Sequence, residues 1–152
     1  MKIFGIDFTS RPNKSKPLTC LECDFDGSIL KAGNLAEWKD FDYFENFLGS
    51  EGKWIAGIDF PFGLSRKFIE NIGWPMSWDA YVGYVGSIER TKFREILDSY
   101  KERRPDGDKE HLRQTDKLAG SKSPQKQYLP PVGLMFFEGA PRLLKSGVSV
   151  PG

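Results

Sequence analysis

The tetrapeptide Gly-Ile-Asp-Phe occurs twice, each time at the end of a short apolar run. The first run is Ile3-Phe4-Gly5-Ile6-Asp7-Phe8, followed by the polar residues Thr9, Ser10 and Arg11. The second is Trp54-Ile55-Ala56-Gly57-Ile58-Asp59-Phe60, stopped by Pro61 and Gly63. A short apolar run bounded by turn residues is the pattern of an interior strand, typically in a parallel sheet. Each copy therefore predicts a buried strand with one aspartate where strand gives way to loop. An ionised carboxylate in such a place is costly unless it is paired, hydrogen-bonded or bound to a metal. Two acids at equivalent strand ends point to a site.

The intervening sequence says how the two runs meet. Residues 18–25 alternate as a second strand, Asp26-Gly27 signals a tight turn, and residues 28–32 return as a third, antiparallel strand. An amphipathic helix is expected over residues 35–48. Its apolar residues Leu35, Trp38, Phe41, Phe44, Phe47 and Leu48 recur every three or four positions, and Gly49 stands as a C-terminal cap. The order is thus β-β-β-α-β. A helix between strands implies a right-handed crossover that returns the last strand parallel to an earlier one. If that neighbour is the first strand, Asp7 and Asp59 come out side by side at one edge of the sheet.

Beyond Gly63 the chain reads as helical. A short helix is expected over residues 65–72, closed by Gly73. A span over residues 78–104 starts behind Ser77 and is one helix or two, with Thr91 as a second cap. Pro105-Asp106-Gly107-Asp108 ends it. Residues 109–132 form a polar, basic, irregular segment, and segments of that length are usually functional or disordered. A last helix over residues 134–145 contains Pro141, and Val148-Ser149-Val150-Pro151-Gly152 reads as the start of another strand.

The length of 152 residues fits one domain. Twelve Phe and four Trp argue for a packed core and against disorder. The net charge of +1 leaves any nucleic-acid contact to local clusters of Lys and Arg. Neither a signal peptide nor an apolar run near 18 residues is visible, so a cytoplasmic protein without membrane contact is expected. Cys20 and Cys23 are three apart on a strand and face opposite ways, which reads as two reduced thiols rather than a redox or zinc pair.

The wording of several stretches resembles one family. Gly5-Ile6-Asp7, Gly57-Ile58-Asp59-Phe60-Pro61-Phe62-Gly63, Trp74-Pro75, Arg113-Gln114-Thr115-Asp116 and Gly133-Leu134-Met135-Phe136-Phe137-Glu138-Gly139-Ala140-Pro141-Arg142 look like the predicted nucleases with a ribonuclease H-like fold, also catalogued as domain of unknown function 429. The resemblance covers essentially the whole chain. It implies an α/β fold with a mixed sheet, followed by a helical C-terminal half. It also implies a further C-terminal strand and a helix bearing another acid, which this sequence lacks, so the chain resembles the N-terminal portion of such a protein.

The chemistry implied is metal-dependent hydrolysis of phosphodiester bonds. Carboxylates would hold Mg²⁺ or Mn²⁺, hard cations that prefer oxygen, two ions acting together. Asp7 would be the bridging ligand and Asp59 the second; the plain alternative is two strand-end acids capping loop amides. Asp116 and Glu138 are further catalytic candidates. Asp116 reads equally as half of an ion pair, and Glu138 as a carboxylate placed near a helix start. Thr9, Ser10 and Arg11 are candidates for phosphate contact, against an ordinary polar turn. Arg113, Lys117, Lys122 and Lys126 are candidates for a nucleic-acid backbone, against a solvated loop. The single histidine, His111, reads as a surface residue. Two other classes stay open. Actin-like and sugar-kinase-type ATPases share the strand order but need glycine-rich phosphate loops. A non-catalytic binding module would keep its acids for folding. An uncompleted sheet edge would in addition invite a homodimer.

Overall fold

A computed structural model describes residues 1–150 of the chain. The chain divides into two compact units, Met1–Phe60 and Pro61–Gly152. Among the described residues there are four strands and six helices, an α/β protein built on a mixed sheet. No described helix is long and apolar enough to cross a membrane.

The first unit is β1 (Lys2–Asp7), β2 (Leu18–Phe25), β3 (Leu30–Trp38), α1 (Phe41–Leu48) and β4 (Trp54–Ile58), in the sheet order β3-β2-β1-β4. The first three strands pair antiparallel, and β4 lies parallel to β1. Strand alternation puts Phe4, Ile6 and Phe8 on one face, where α1 packs. Phe4 meets Phe47 edge-on at 4.9 Å, Phe8 meets Phe44 at 5.3 Å, and Phe47 lies 4.8 Å from Trp54. Phe44 is wholly buried. Ile3, Gly5, Asp7, Ile55, Gly57 and Asp59 take the opposite face. There Gly5, Asp7, Ile55, Gly57 and Asp59 are exposed, so the expected interior strands are covered on one side only.

Two boundaries differ from the sequence expectation. The helix begins at Phe41, not at residue 35, and β3 runs on to Trp38. The spacing of Leu35 and Trp38 suits a helix, but in the fold they stand opposite Leu21 and Leu18 and continue the β2 ladder. The helix starts only where Asp40, in extended backbone, accepts a hydrogen bond from the amide of Asp42. Lengthening β3 also requires a bulge. Between Leu21 and Cys23 the register slips, and a Cβ on Gly33 would lie 3.0 Å from the carbonyl oxygen of Glu22. A glycine fits that close approach. Cys20 stands opposite Ile6 and Cys23 opposite Ile3, so the two thiols take opposite faces; both are buried and free. Burial pushes the Cys20 thiol up to about 11.

The second unit is helical: α2 (Arg66–Ile72), α3 (Trp78–Ser87), α4 (Arg90–Glu102), α5 (Gln114–Ala119) and α6 (Val132–Ser146). Its core holds Phe68, Val82, Val85, Phe93, Leu97 and Phe136, all essentially inaccessible. The span over residues 78–104 is two helices, and the second starts behind Glu89 rather than Thr91. A short helix, α5, also interrupts the segment expected to be irregular. That segment is tied to α6 at Gly133, whose amide donates to the carbonyl of Lys126 at 2.7 Å. Val148 to Val150 form no strand, and Pro151 and Gly152 lie outside the described residues.

A Cβ on Gly133 would sit 2.9 Å from the Pro124 carbonyl oxygen and 3.2 Å from that of Lys126, both backbone atoms. A Cβ on Gly5 would meet nothing within 4 Å. Gly133→Ala is therefore expected to cost about 1–3 kcal/mol through overpacking. Gly5→Ala should be neutral or stabilise by up to about 1 kcal/mol, because a strand glycine carries an entropic cost. Urea unfolding of the two variants measures the contrast.

Candidate functional site

The β1–β4 register sets Ile3 opposite Ile55, Gly5 opposite Gly57 and Ile6 opposite Ile58. The amide of Asp59 then donates to the carbonyl of Ile6 at 2.9 Å, so the ladder continues to the acids themselves. Asp7 and Asp59 thus end adjoining parallel strands on the open face of the sheet. Both residues are exposed, and neither carboxylate has a hydrogen-bond or ion-pair partner among the described residues. That is not the geometry of acids capping loop amides. Neighbouring strands lie about 4.8 Å apart, so the two acids stand side by side at the strand ends. Oxygen ligands of this kind suit a hard divalent cation. Mg²⁺ characteristically takes one or two carboxylates and completes its shell with waters and substrate phosphate oxygens. The pair fits one such ion. No group of three or more His, Cys, Asp or Glu side chains is placed to hold a metal among the described residues, so the donor set for a second ion is not assembled.

The residues after the first acid divide. Thr9 and Ser10 are buried, at 8% and 6% exposure, whereas Arg11 is exposed. The loop is a local turn in which Asn13 Oδ1 accepts from the amides of Ser15 and Lys16 at 2.9 and 3.0 Å. Arg11 is the side chain of the three that solvent can reach.

Asp116 and Glu138 belong to the second unit, and both are committed. Asp116 is 2% exposed. Its Oδ1 takes the Arg113 guanidinium at 2.6 Å, and its Oδ2 takes the Arg113 backbone amide at 2.7 Å, closing the first turn of α5. Burial pushes this carboxyl up, but the Arg113 side-chain and backbone hydrogen bonds and charge, with Ser121, bring it below the ordinary carboxylate value. Glu138 lies in the middle of α6 rather than near its start. It joins Arg90 at 2.7 Å and Arg142 at 2.9 Å. Arg113 also donates to the carbonyl of Gly63 at 3.1 Å. Of the basic candidates in this segment, Lys117 and Lys122 are exposed, and Lys126 is partly covered.

His111 is not on the surface. It is 8% exposed, and its Nε2 is hydrogen-bonded to the hydroxyl of Tyr100, which also accepts from Asn71 Nδ2 at 2.8 Å. Its amide donates to Gln125 Oε1 at 2.8 Å, and its carbonyl accepts from Ser123 Oγ at 2.9 Å. Ser123, Gln125 and Gln127 are likewise buried. A polar sequence here fills an interior by hydrogen bonding, a role that hydrophobic periodicity does not reveal. The helical spacing of Phe93, Leu97 and Tyr100 on α4 was the available signal that a core surface faces this segment.

Comparison with protein-family models, with curated proteins and with solved structures finds no match.

Burial, aided by the Lys67 and Arg104 charges and opposed by Asp108, lowers the His111 pKa below 6.5. The unfolded chain therefore binds this proton at higher pH than the folded one, and stability must fall as pH drops below 6.5 until the lower folded value is passed. His111→Gln should flatten that part of the profile. Urea midpoints of both proteins from pH 7.5 downward test this, and superimposable profiles would contradict it.

Proposed function

We propose that the first unit carries a divalent-metal site for phosphodiester hydrolysis, on a sheet of the ribonuclease H-like type, with Asp7 and Asp59 as the metal-holding carboxylates. The observation behind this reading is the pair itself: two exposed, unpartnered acids at the ends of adjoining parallel strands. The β-β-β-α-β order and the resemblance of the motifs around both acids support it. Mg²⁺ or Mn²⁺ bound there would polarise a phosphate oxygen and make a bound water more acidic.

The chain's own groups have simple parts in this reading. Asp7 and Asp59 fix the cation through oxygens on two rigid strands. The glycine pair Gly5 and Gly57 leaves the sheet surface beside them bare, since a Cβ at either would meet nothing within 4 Å. A nucleic-acid backbone can therefore approach the acids over that face. Arg11, exposed beside the first acid, offers a charge to a phosphate. Asp116 and Glu138 serve the helices in which they are paired.

Because both acids are exposed and unpaired, Asp7→Asn and Asp59→Asn should change stability by no more than about 0.5 kcal/mol without metal. A cation at 100 times its dissociation constant should add about 2.7 kcal/mol to the unsubstituted protein. Thermal melting with Mg²⁺ or Mn²⁺ should therefore shift the parent upward and leave the double variant in place. Equal shifts in both proteins, or none in the parent, would exclude the site. A shift produced by ATP but not by the metals would instead favour the ATPase class.

A further inference from the structure

The register of the four strands fixes which residues share a row across the sheet. On the face opposite α1, one row is Ala32, Cys23, Ile3 and Ile55, and the next is Leu35, Leu21, Gly5 and Gly57. Both rows are apolar. The row after them is Glu37, Thr19, Asp7 and, where the ladder ends, Asp59. All four strands therefore change chemistry at the same level, and three of the four side chains there are carboxylates. Register alone places Glu37 and Thr19 in this row, because residues directly opposite each other share a face. Neither side chain makes a hydrogen bond or ion pair among the described residues.

From this geometry we infer that Glu37, with Thr19 between it and Asp7, is a positioning residue for the cation proposed above and acts through water in its shell. The inference rests on that functional reading. Glu37 stands two strands from Asp7, so about 9.6 Å separates their backbones. With Thr19 between them, Glu37 does not complete the inner ligand set, in keeping with the absence of any three-acid metal group among the described residues. Its side chain is one methylene longer than that of aspartate and reaches across the Thr19 position. A hard cation held by only two carboxylates keeps several of its waters. A carboxylate beside such a water accepts a hydrogen bond from it, and the Thr19 hydroxyl, one strand from Asp7, can both donate and accept in the gap. Groups that orient metal ligands in this way typically contribute about 10–100-fold in metal affinity.

Mn²⁺ binding to the 152-residue chain, read from the electron paramagnetic resonance of the free ion, tests this without an activity assay. Relative to the parent at the same salt, Glu37→Gln and Thr19→Val should each weaken binding about tenfold. Thr19→Ser, which keeps the hydroxyl, should bind as the parent does. The loss should be the same in about 0.15 M and about 1 M salt, because the Debye length falls from about 8 Å to about 3 Å and screens a distant charge but not a water-bridged contact. Circular dichroism confirms that each variant is folded. Unchanged affinity in either weakened variant, or a Glu37→Gln loss that disappears at high salt, overturns the inference and leaves the functional reading standing. A parent that binds no better than Asp7→Asn/Asp59→Asn overturns the functional reading and this inference with it.

Discussion

The parallel pairing of β1 with β4 is the constraint on which the rest of the first unit depends. Five consecutive register pairs, Lys2 with Trp54 through Ile6 with Ile58, set the two strands with their ends level. The helix α1 exists between them because parallel neighbours need a crossover, and its phenylalanines cover the face that Phe4 and Phe8 present. The same pairing brings two aspartates together from distant parts of the chain. Backbone hydrogen bonds rather than side-chain contacts position the acids, which is why they sit on rigid elements yet remain open to solvent.

The second unit solves a different problem, that of ordering a long polar segment. It does so with buried hydrogen bonds instead of apolar bulk. His111 is held through its ring, amide and carbonyl, and Asp116 locks to Arg113 within α5. Gly133 lets the chain pass within van der Waals contact of α6. Such networks are stable only when satisfied. Among the described residues, Gln125 Nε2 is a buried donor without a partner.

Much of this was legible in the residues. The repeated Gly-Ile-Asp-Phe marked both strands and the acids at their ends. Asp26-Gly27 marked the hairpin, with Gly27 at φ +105°. Gly49, Gly73 and Ser77 marked helix ends that the structure contains. The start of α1 was misread because Leu35 and Trp38 satisfy both periods, and only cross-strand partners on β2 decide between them. Burial of the strands was overestimated for a related reason. An apolar run says that one face is covered, but glycines at positions 5 and 57 leave the other bare. His111 and the buried glutamines left no hydrophobic signature to read. Asp116 and Glu138 show the converse: an acid in a suggestive motif is as easily consumed by a neighbouring arginine as offered to a ligand.

The central claim is that Asp7 and Asp59 together form one divalent-cation site. Paramagnetic Mn²⁺ at substoichiometric amounts, followed by amide line broadening in the ¹⁵N-labelled protein, tests it most directly. The account predicts broadening centred on the amides of residues 6–9 and 58–60, displaced by excess Mg²⁺ and absent in Asp7→Asn/Asp59→Asn. Broadening centred on other carboxylates, or a pattern unchanged by the double substitution, would contradict it.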